Sequence, residues 1–191
     1  SSKILFPPKH LRIKNKDYIV FQLSNGILKI IDRRGKDRIK VKEKIDFSNN
    51  EVYLYRNSFT TTDKNGNLIQ VDLKGNVFKT PLKLSNDHKI NMTTKTLVTL
   101  SENILTIKGV PVILPYGNYT SPQIFYFNDT LYISVTNIDS SKVYLFFSSG
   151  KLVNGFPIYG NSSIDISNID NDENLELVVK SEKDSFILYE I

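Results

Sequence analysis

The chain has 191 residues, of which 40% are hydrophobic and 24% are charged, and its net charge at pH 7 is +5. This length suits one domain with a sizeable core. The proportions of hydrophobic and charged residues exclude a chain that is disordered throughout. The absence of cysteine excludes disulfides, thiol catalysis and cysteine-ligated metal centres. No apolar run reaches the roughly 18 residues that a membrane span requires, so the sequence predicts no span in this chain.

The residue types favour strands and disfavour nucleic acid as a partner. The chain contains no alanine, the best helix former, and is rich in Ile, Val, Tyr, Phe and Thr. It carries 20 lysines but only 5 arginines, whereas base recognition depends heavily on arginine. Many of the lysines alternate with apolar residues, a pattern typical of the solvent face of a strand. We therefore predict an all-β protein that does not bind nucleic acid.

One phrase recurs along the chain: a short β-type run, a polar turn, a second run, and often a glycine turn with a third run. The first copy has runs at 17–21, 27–31 and 38–42, and the second at 58–62, 68–71 and 77–80. These two copies match closely, with IDRRG at 31–35 aligning with VDLKG at 71–75. Such agreement forty residues apart indicates an internal repeat.

Three further copies follow. Their runs lie at 96–100, 104–107 and 110–114, then at 130–135 and 142–147, and finally at 175–180 and 186–191. An earlier run precedes each of the five copies, at 11–14, 52–55, 89–92, 123–127 and 164–167. Matching positions are 40, 36, 39 and 43 residues apart, at Leu28, Leu68, Ile104, Val143 and Phe186.

A period near forty with four short strands per unit is that of a β-propeller blade. We predict a single propeller domain over residues 1–191, built of five four-stranded antiparallel blades. The blades cover about 11–45, 50–84, 88–115, 122–160 and 163–191, the last completed by residues 1–8. An open stretch of a larger propeller and a β-sandwich are the alternatives.

The fifth copy ends after three runs, and the first ten residues hold one unassigned run, Lys3 to Phe6. We expect this run to pair beside residues 186–191 as the outermost strand of the last blade. The two termini would then close the ring, and the apolar edge of the last blade would be covered.

The sequence offers few groups for catalysis. His10 and His88 lie outside any nucleophile motif, and we expect both on the surface. Asp32 and Asp72 stand at the start of turns, where an aspartate stabilises the turn itself. The remaining enzymatic hypothesis is a hydrolase of the glycosidase or lactonase type, with carboxylates from separate blades at the mouth of the channel.

One loop has the ligand spacing of a calcium site. Oxygen-bearing side chains alternate at Asn168, Asp170 and Asp172, and Glu176 follows, with the backbone carbonyl of Asn174 as a further ligand. The loop resembles the calcium loop of FG-GAP repeats, which occur in integrin α-chain propellers and many bacterial surface proteins, and Gly-Phe-Pro at 155–157 is similar to their blade-closing phrase. It departs from them at Asn168, where they have Asp, and at position 173, where Glu replaces Gly. The blade spacing also resembles that of quinoprotein-like propellers.

Together these features predict a non-catalytic binding or scaffold propeller with a protein partner. The resemblance implies a module of an exported or cell-surface assembly, either periplasmic or on the cell surface. Calcium is the single cofactor that the sequence suggests. The carboxylate-dependent hydrolase remains the alternative.

Overall fold

The structure is a computed structural model that describes residues 2–170, 172, 174–182 and 185–191. The described residues form 19 strands in five antiparallel sheets and contain no helix. The all-β class and the fivefold sheet repeat are therefore confirmed. Among these residues no helix is long and apolar enough to span a membrane.

Four sheets have four strands each, and the fifth has three, in the order of the chain. The first sheet contains β1 (Lys9–Ile13), β2 (Lys16–Gln22), β3 (Leu28–Ile31) and β4 (Asp37–Ile39). The second contains β5 (Tyr53–Tyr55), β6 (Ser58–Thr62), β7 (Asn67–Val71) and β8 (Val77–Pro81). The third contains β9 (Lys89–Met92), β10 (Leu97–Ser101), β11 (Ile104–Ile107) and β12 (Val110–Ile113). The fourth contains β13 (Gln123–Phe127), β14 (Thr130–Asn137), β15 (Lys142–Phe147) and β16 (Ile158–Tyr159), and the fifth contains β17 (Asp165–Ser167), β18 (Glu176–Lys180) and β19 (Phe186–Glu190).

The chain divides into two compact units, Ser1–Leu97 and Val98–Ile191. In the first unit one core cluster joins the first two sheets, with Tyr18, Val20 and Ile30 packed against Phe59 and Val71. A smaller cluster joins the second sheet to β9. In the second unit one cluster lies between the third and fourth sheets and another between the fourth and fifth. Within each unit, sheets thus bury their apolar residues against their neighbours along the chain.

The residue pattern explains which strands are central. Residues on β3 alternate, so Leu28 and Ile30 are buried while Lys29 is exposed. On β6, by contrast, four consecutive residues from Phe59 to Thr62 are buried, because this strand is covered on both faces. The outer strand β8 is exposed along most of its length. The position of a strand therefore decides whether its residues are buried on one face or on both.

Three hairpin turns use one hydrogen-bonding pattern, headed by Asp32, Asp63 and Asp72. In each turn the aspartate Oδ1 accepts bonds from the backbone N–H groups two and four residues further on, at 2.8–3.0 Å. A glycine with positive φ stands at the third position after each aspartate. The predicted turn roles of Asp32 and Asp72 are confirmed, and Asp63 is a third member that the repeat alignment missed.

Two of these glycines also allow close packing. A Cβ atom on Gly66 would lie 2.3 Å from the carbonyl oxygen of Leu84, and one on Gly75 would lie 2.1 Å from that of Lys40. Both glycines have φ between 70° and 80°, in the left-handed region. Glycine is required at both positions for conformation and for space.

The predicted pairing of Lys3 to Phe6 with the last strand is wrong. Leu5 donates its backbone N–H to Gln22 at 2.9 Å, Ser24 donates to Lys3 at 2.8 Å, and Ile4 forms a bridge with Leu23. This segment therefore continues the line of β1 along the end of β2, after an interruption at residues 7–8. Two prolines stand there, and they have no N–H groups to donate. Closure of the ring stays a prediction.

Asp63 provides a test of the turn pattern. Its buried carboxylate accepts three bonds from Asn67 and Asn65 amides through Oδ1 and lies 2.7 Å from the Lys79 ammonium through Oδ2. Burial alone would raise the pKa of Asp63, but the bonds from Lys79 and Asn67 outweigh it and lower the pKa. We expect Asp63→Asn to reduce the free energy of unfolding at pH 7 by roughly 1–3 kcal/mol, because a charge-assisted bond is lost.

The effect must depend on pH in one direction. A carboxyl group whose pKa is lower in the folded state stabilises the fold above the unfolded-state pKa of about 3.9, and this contribution disappears as the pH falls through the folded-state value. Urea unfolding should therefore show a large difference in the free energy of unfolding between wild type and Asp63→Asn at pH 7, and a small one at pH 2. Asp46→Asn is the control, because the Asp46–Lys64 pair is exposed and contributes little. A stability difference between wild type and Asp63→Asn that is equal at both pH values would show that the ionised Asp63 carboxylate does not stabilise the fold.

Candidate functional site

The predicted calcium ligands lie in the loop between β17 and β18. Three carboxylates, Asp170, Asp172 and Glu176, each have an oxygen within 4.8 Å of the other two. The two aspartates are exposed and Glu176 is half-buried at the start of β18. Three negative charges so close together repel one another, and a divalent cation between them would remove that repulsion.

Hydrogen bonds fix the conformation of this loop. Glu176 Oε2 accepts the N–H of Ile169 at 2.6 Å, and Asp172 Oδ1 accepts that of Asn174 at 2.7 Å. The side-chain amide of Asn168 donates to the carbonyl oxygen of Asp172, and that of Asn174 donates to Glu190. The structure thus brings together three of the five predicted ligands. Position 173, where the loop departs from FG-GAP repeats, lies outside the described residues.

The arrangement fits calcium by the chemistry of its donors, since Ca²⁺ prefers carboxylate and carbonyl oxygens. We expect 1 mM Ca²⁺ to raise the melting temperature of the protein relative to EDTA, and Asp172→Asn to reduce the rise by more than half. Glu182→Gln is the matched control, because it removes one carboxylate from the other hairpin turn of the same sheet. A calcium shift that Asp172→Asn leaves unchanged would place the ion elsewhere.

The two histidines lie in different settings, and for His88 the surface prediction is wrong. The His10 side chain is exposed and its Nε2 lies 2.9 Å from Asp17, whose other oxygen lies 2.6 Å from Arg33. The bond from His10, together with the nearby arginines, lowers the pKa of Asp17. His88, by contrast, is buried, with 3% of its surface exposed.

A buried polar network surrounds His88. Its Nδ1 lies 2.6 Å from the carbonyl oxygen of Ser85, which can only accept, so Nδ1 donates. In the neutral ring Nε2 then accepts from the Thr62 hydroxyl at 2.7 Å, and Thr62 lies 2.7 Å from the Ser48 hydroxyl. Thr62 is completely buried, so no substrate can reach this chain of hydroxyl and imidazole groups. The network is a structural link between segments of the first unit.

Asn50 holds that network together. Its amide donates to Ser48, Thr62 and the His88 carbonyl at 3.0–3.2 Å, and its Oδ1 accepts the N–H of Ile90 at 3.1 Å. Asn50→Ala would remove the bonds to the His88 carbonyl and the Ile90 N–H and would leave a cavity beside the remaining hydroxyl groups, so we expect the free energy of unfolding to fall by roughly 2–4 kcal/mol.

The neighbouring Asn49 is exposed and supplies a matched control. Asn49→Ala should change the stability by no more than about 0.5 kcal/mol. Chemical denaturation of both variants measures the difference. Equal stabilities for the two variants would show that the network does not hold the unit together.

The first 45 residues carry most of the positive charge, which the sequence analysis did not predict. Residues 1–45 contain 13 lysines and arginines against four acidic residues, whereas residues 46–191 contain 12 against 16. Every lysine and arginine from Arg12 to Lys44 is exposed. The net charge of +5 therefore conceals a strongly basic first sheet and an acidic remainder. The segregation is visible in the sequence once charges are counted by repeat.

The open edge of β19 is a further candidate for binding. Leu175 and Ile191 exchange backbone hydrogen bonds at 3.2 and 2.9 Å. Because bonded and non-bonded pairs alternate in an antiparallel ladder, Ile187 and Tyr189 also point their N–H groups at β18. The N–H and C=O groups of Phe186, Leu188 and Glu190 then point away from the sheet, and no described residue forms a fourth strand there.

Comparison with known proteins identifies the fold. The chain is similar to the computationally designed protein Ika8 (TM-score 0.55, 12% identity, covering 96% of this chain and 58% of that one). It is similar to BamB from Moraxella catarrhalis (TM-score 0.50, 15% identity, 90% and 54%). It is also similar to the dihydro-heme d1 dehydrogenase NirN in complex with DHE (TM-score 0.55, 12% identity, 91% and 43%). No family model matches the chain, and no curated protein matches it.

BamB and NirN are β-propeller proteins, and the four-stranded antiparallel sheets of this chain fit propeller blades. The chain therefore has a β-propeller fold, as predicted, and the β-sandwich alternative is set aside. It spans about half the length of these three structures. At these identities the likeness shows the fold alone.

Proposed function

We propose that this chain is a non-catalytic binding or scaffold propeller, and that the open edge of β19 accepts an extended strand from a protein partner. The observation that carries the proposal is the edge of β19, where no described residue pairs with the outward backbone groups and the side chains of Phe186 and Leu188 are exposed. An exposed strand edge is a template for pairing with another chain.

The side chains at this edge support a protein partner. Phe186 and Leu188 are 73% and 60% exposed, and Val178 opposite Leu188 is exposed as well. These three form an apolar patch on one face of the sheet, beside the outward N–H and C=O groups. An added strand would satisfy those backbone groups and cover part of the patch. Edges that avoid pairing carry charges instead, and here only Glu190 does so.

The carboxylates support a non-catalytic role over the hydrolase alternative. A glycosidase needs one carboxyl group with a raised pKa as its general acid. Four described aspartates, Asp17, Asp32, Asp63 and Asp72, have a lowered pKa, which is the opposite of what a general acid needs. Backbone amides, His10 or Lys79 hold these aspartates in their ionised form, and three of them head hairpin turns.

The finer features of the proposal concern location and calcium. The loop at 168–176 is similar to FG-GAP loops, which occur in surface proteins, so we place the protein in an exported or cell-surface assembly. Calcium in this loop would hold the start of β18 and, through the bond from Asn174 to Glu190, the end of β19. The ion would thereby stabilise the same sheet whose edge receives the partner.

A peptide that copies residues 36–42 tests the edge. This segment includes the fourth strand of the first sheet and alternates apolar Ile39 and Val41 with cations that suit Glu190. We expect the peptide to slow hydrogen exchange of the amides of Phe186, Leu188 and Glu190 at least tenfold. The amides of Ile187 and Tyr189, already bonded to β18, should not change.

Leu188→Pro provides the decisive variant. It removes an outward N–H without touching the bonds to β18, which an edge strand tolerates. We expect this variant to lose peptide binding. Leu188→Ala retains the N–H, and its affinity for the peptide should be only slightly lower than that of wild type. The melting temperatures of both variants control for folding. Equal binding by wild type and Leu188→Pro, or no protection in wild type, would overturn the proposal.

A further inference from the structure

The basic surface of the first unit contains a groove with a mixed lining. Arg38, Lys40, Lys42 and Lys74 surround a cavity of about 530 Å³, and Ile39, Val41 and Leu73 complete its wall. Leu73 is 45% exposed. We call this cavity the basic groove. It shares Arg38 with a second cavity of about 320 Å³, whose lining is of mixed charge and includes Lys16, Asp17, Asp32, Arg33 and Arg34.

Contacts within the unit hold the groove in shape. The guanidinium carbon of Arg38 lies 5.3 Å from the centre of the Tyr18 ring. Lys42 donates its backbone N–H to Gly75 at 3.1 Å, and its ammonium donates to Asn76 at 2.6 Å. The carbonyl of Lys40 packs against Gly75, where only a glycine leaves room. A partner would therefore meet a surface that is already organised.

The cations of the groove are available for a partner. Among the described residues, no carboxylate lies within ion-pair distance of Arg38, Lys40 or Lys74. Elsewhere in the same unit, cations do find partners, as in Lys9–Glu51 and Lys29–Asp37. At longer range, Asp32 attracts Arg38 and Asp72 attracts Lys74. The excess of positive charge at this surface attracts an anionic partner and speeds its association.

We propose that the basic groove binds an extended acidic segment of a protein partner, with carboxylates on the cations and an apolar side chain against Leu73. Residues 38–42 alternate between exposed cations and apolar residues that point inward. In extended chain, alternate side chains repeat at roughly 6.6 Å. An extended peptide with Asp or Glu at every second position carries its charges on one side, where they would face Arg38, Lys40 and Lys42.

The lining favours such a peptide over nucleic acid. Proteins that bind single strands stack bases on aromatic side chains, and no aromatic residue lines the basic groove. The exposed Leu73 has no role against phosphates, whereas it suits an apolar side chain between two carboxylates.

The test uses the seven-residue peptide acetyl-Gly-Glu-Leu-Glu-Ile-Glu-Gly-amide, with a fluorescent label, at 150 mM NaCl. Its counterpart with Gln in place of Glu and a 20-base-pair DNA duplex are measured in parallel. The variants are Arg38→Glu, the pair Lys40→Glu with Lys74→Glu, and Leu73→Ser. The pair Lys142→Glu with Lys151→Glu is the control, because it makes the same charge change at exposed lysines of the second unit.

We expect the Glu peptide to bind, the Gln peptide to bind at least tenfold more weakly, and each charge reversal in the groove to weaken binding at least tenfold. Leu73→Ser should weaken it about three- to fivefold, and the control pair less than twofold. Absence of peptide binding would overturn the proposal. Tighter binding of the duplex, with no effect of Leu73→Ser, would also overturn it and would make the groove a nucleic-acid site.

Discussion

The structure depends on covering short sheets on both faces. A small antiparallel sheet is marginal by itself, because its central strands carry apolar residues on both sides. On β6 the consecutive burial of Phe59 and three threonines shows that both faces of one strand are covered. Within each unit the cover comes from packing against the neighbouring strands or sheet along the chain. The repeat in the sequence is the consequence of that packing, since each unit needs a neighbour with the same pattern.

Local features of this fold could be predicted because local physics produces them. The turns headed by Asp32 and Asp72 are closed by bonds within five residues, so their sequence alone indicates them. The alternation on β3 likewise follows from its own residues. The pairing of Lys3 to Phe6 is different, because a four-residue apolar run fits several strand edges equally well. The choice of Gln22–Ser24 as its neighbour depends on where the chain re-enters the first sheet after the two prolines.

The candidate sites likewise divide into those formed by residues close in sequence, which could be predicted, and those formed by distant residues, which could not. Asp170, Asp172 and Glu176 lie in one loop, so their spacing indicated that they come together. The burial of His88 arises from Ser48, Asn50 and Thr62, which are distant in the sequence, and no pattern around His88 indicates it. The excess of cations in residues 1–45 can be found by counting charges in the sequence. That Arg38, Lys40 and Lys74 line one groove follows only from the contact of residues 40–42 with the turn at 72–76.

The edges of the sheets carry the differences among the repeats, because the central strands are constrained by packing. The first sheet ends in β4 and residues 40–42, where exposed cations alternate with inward apolar residues. The fifth sheet ends in β19, where Phe186 and Leu188 take the outward positions and a single glutamate supplies the charge. One edge is thus suited to charged ligands and the other to backbone pairing. The two proposed binding surfaces therefore follow from the exposed positions of these edge strands, because the buried positions are fixed by packing.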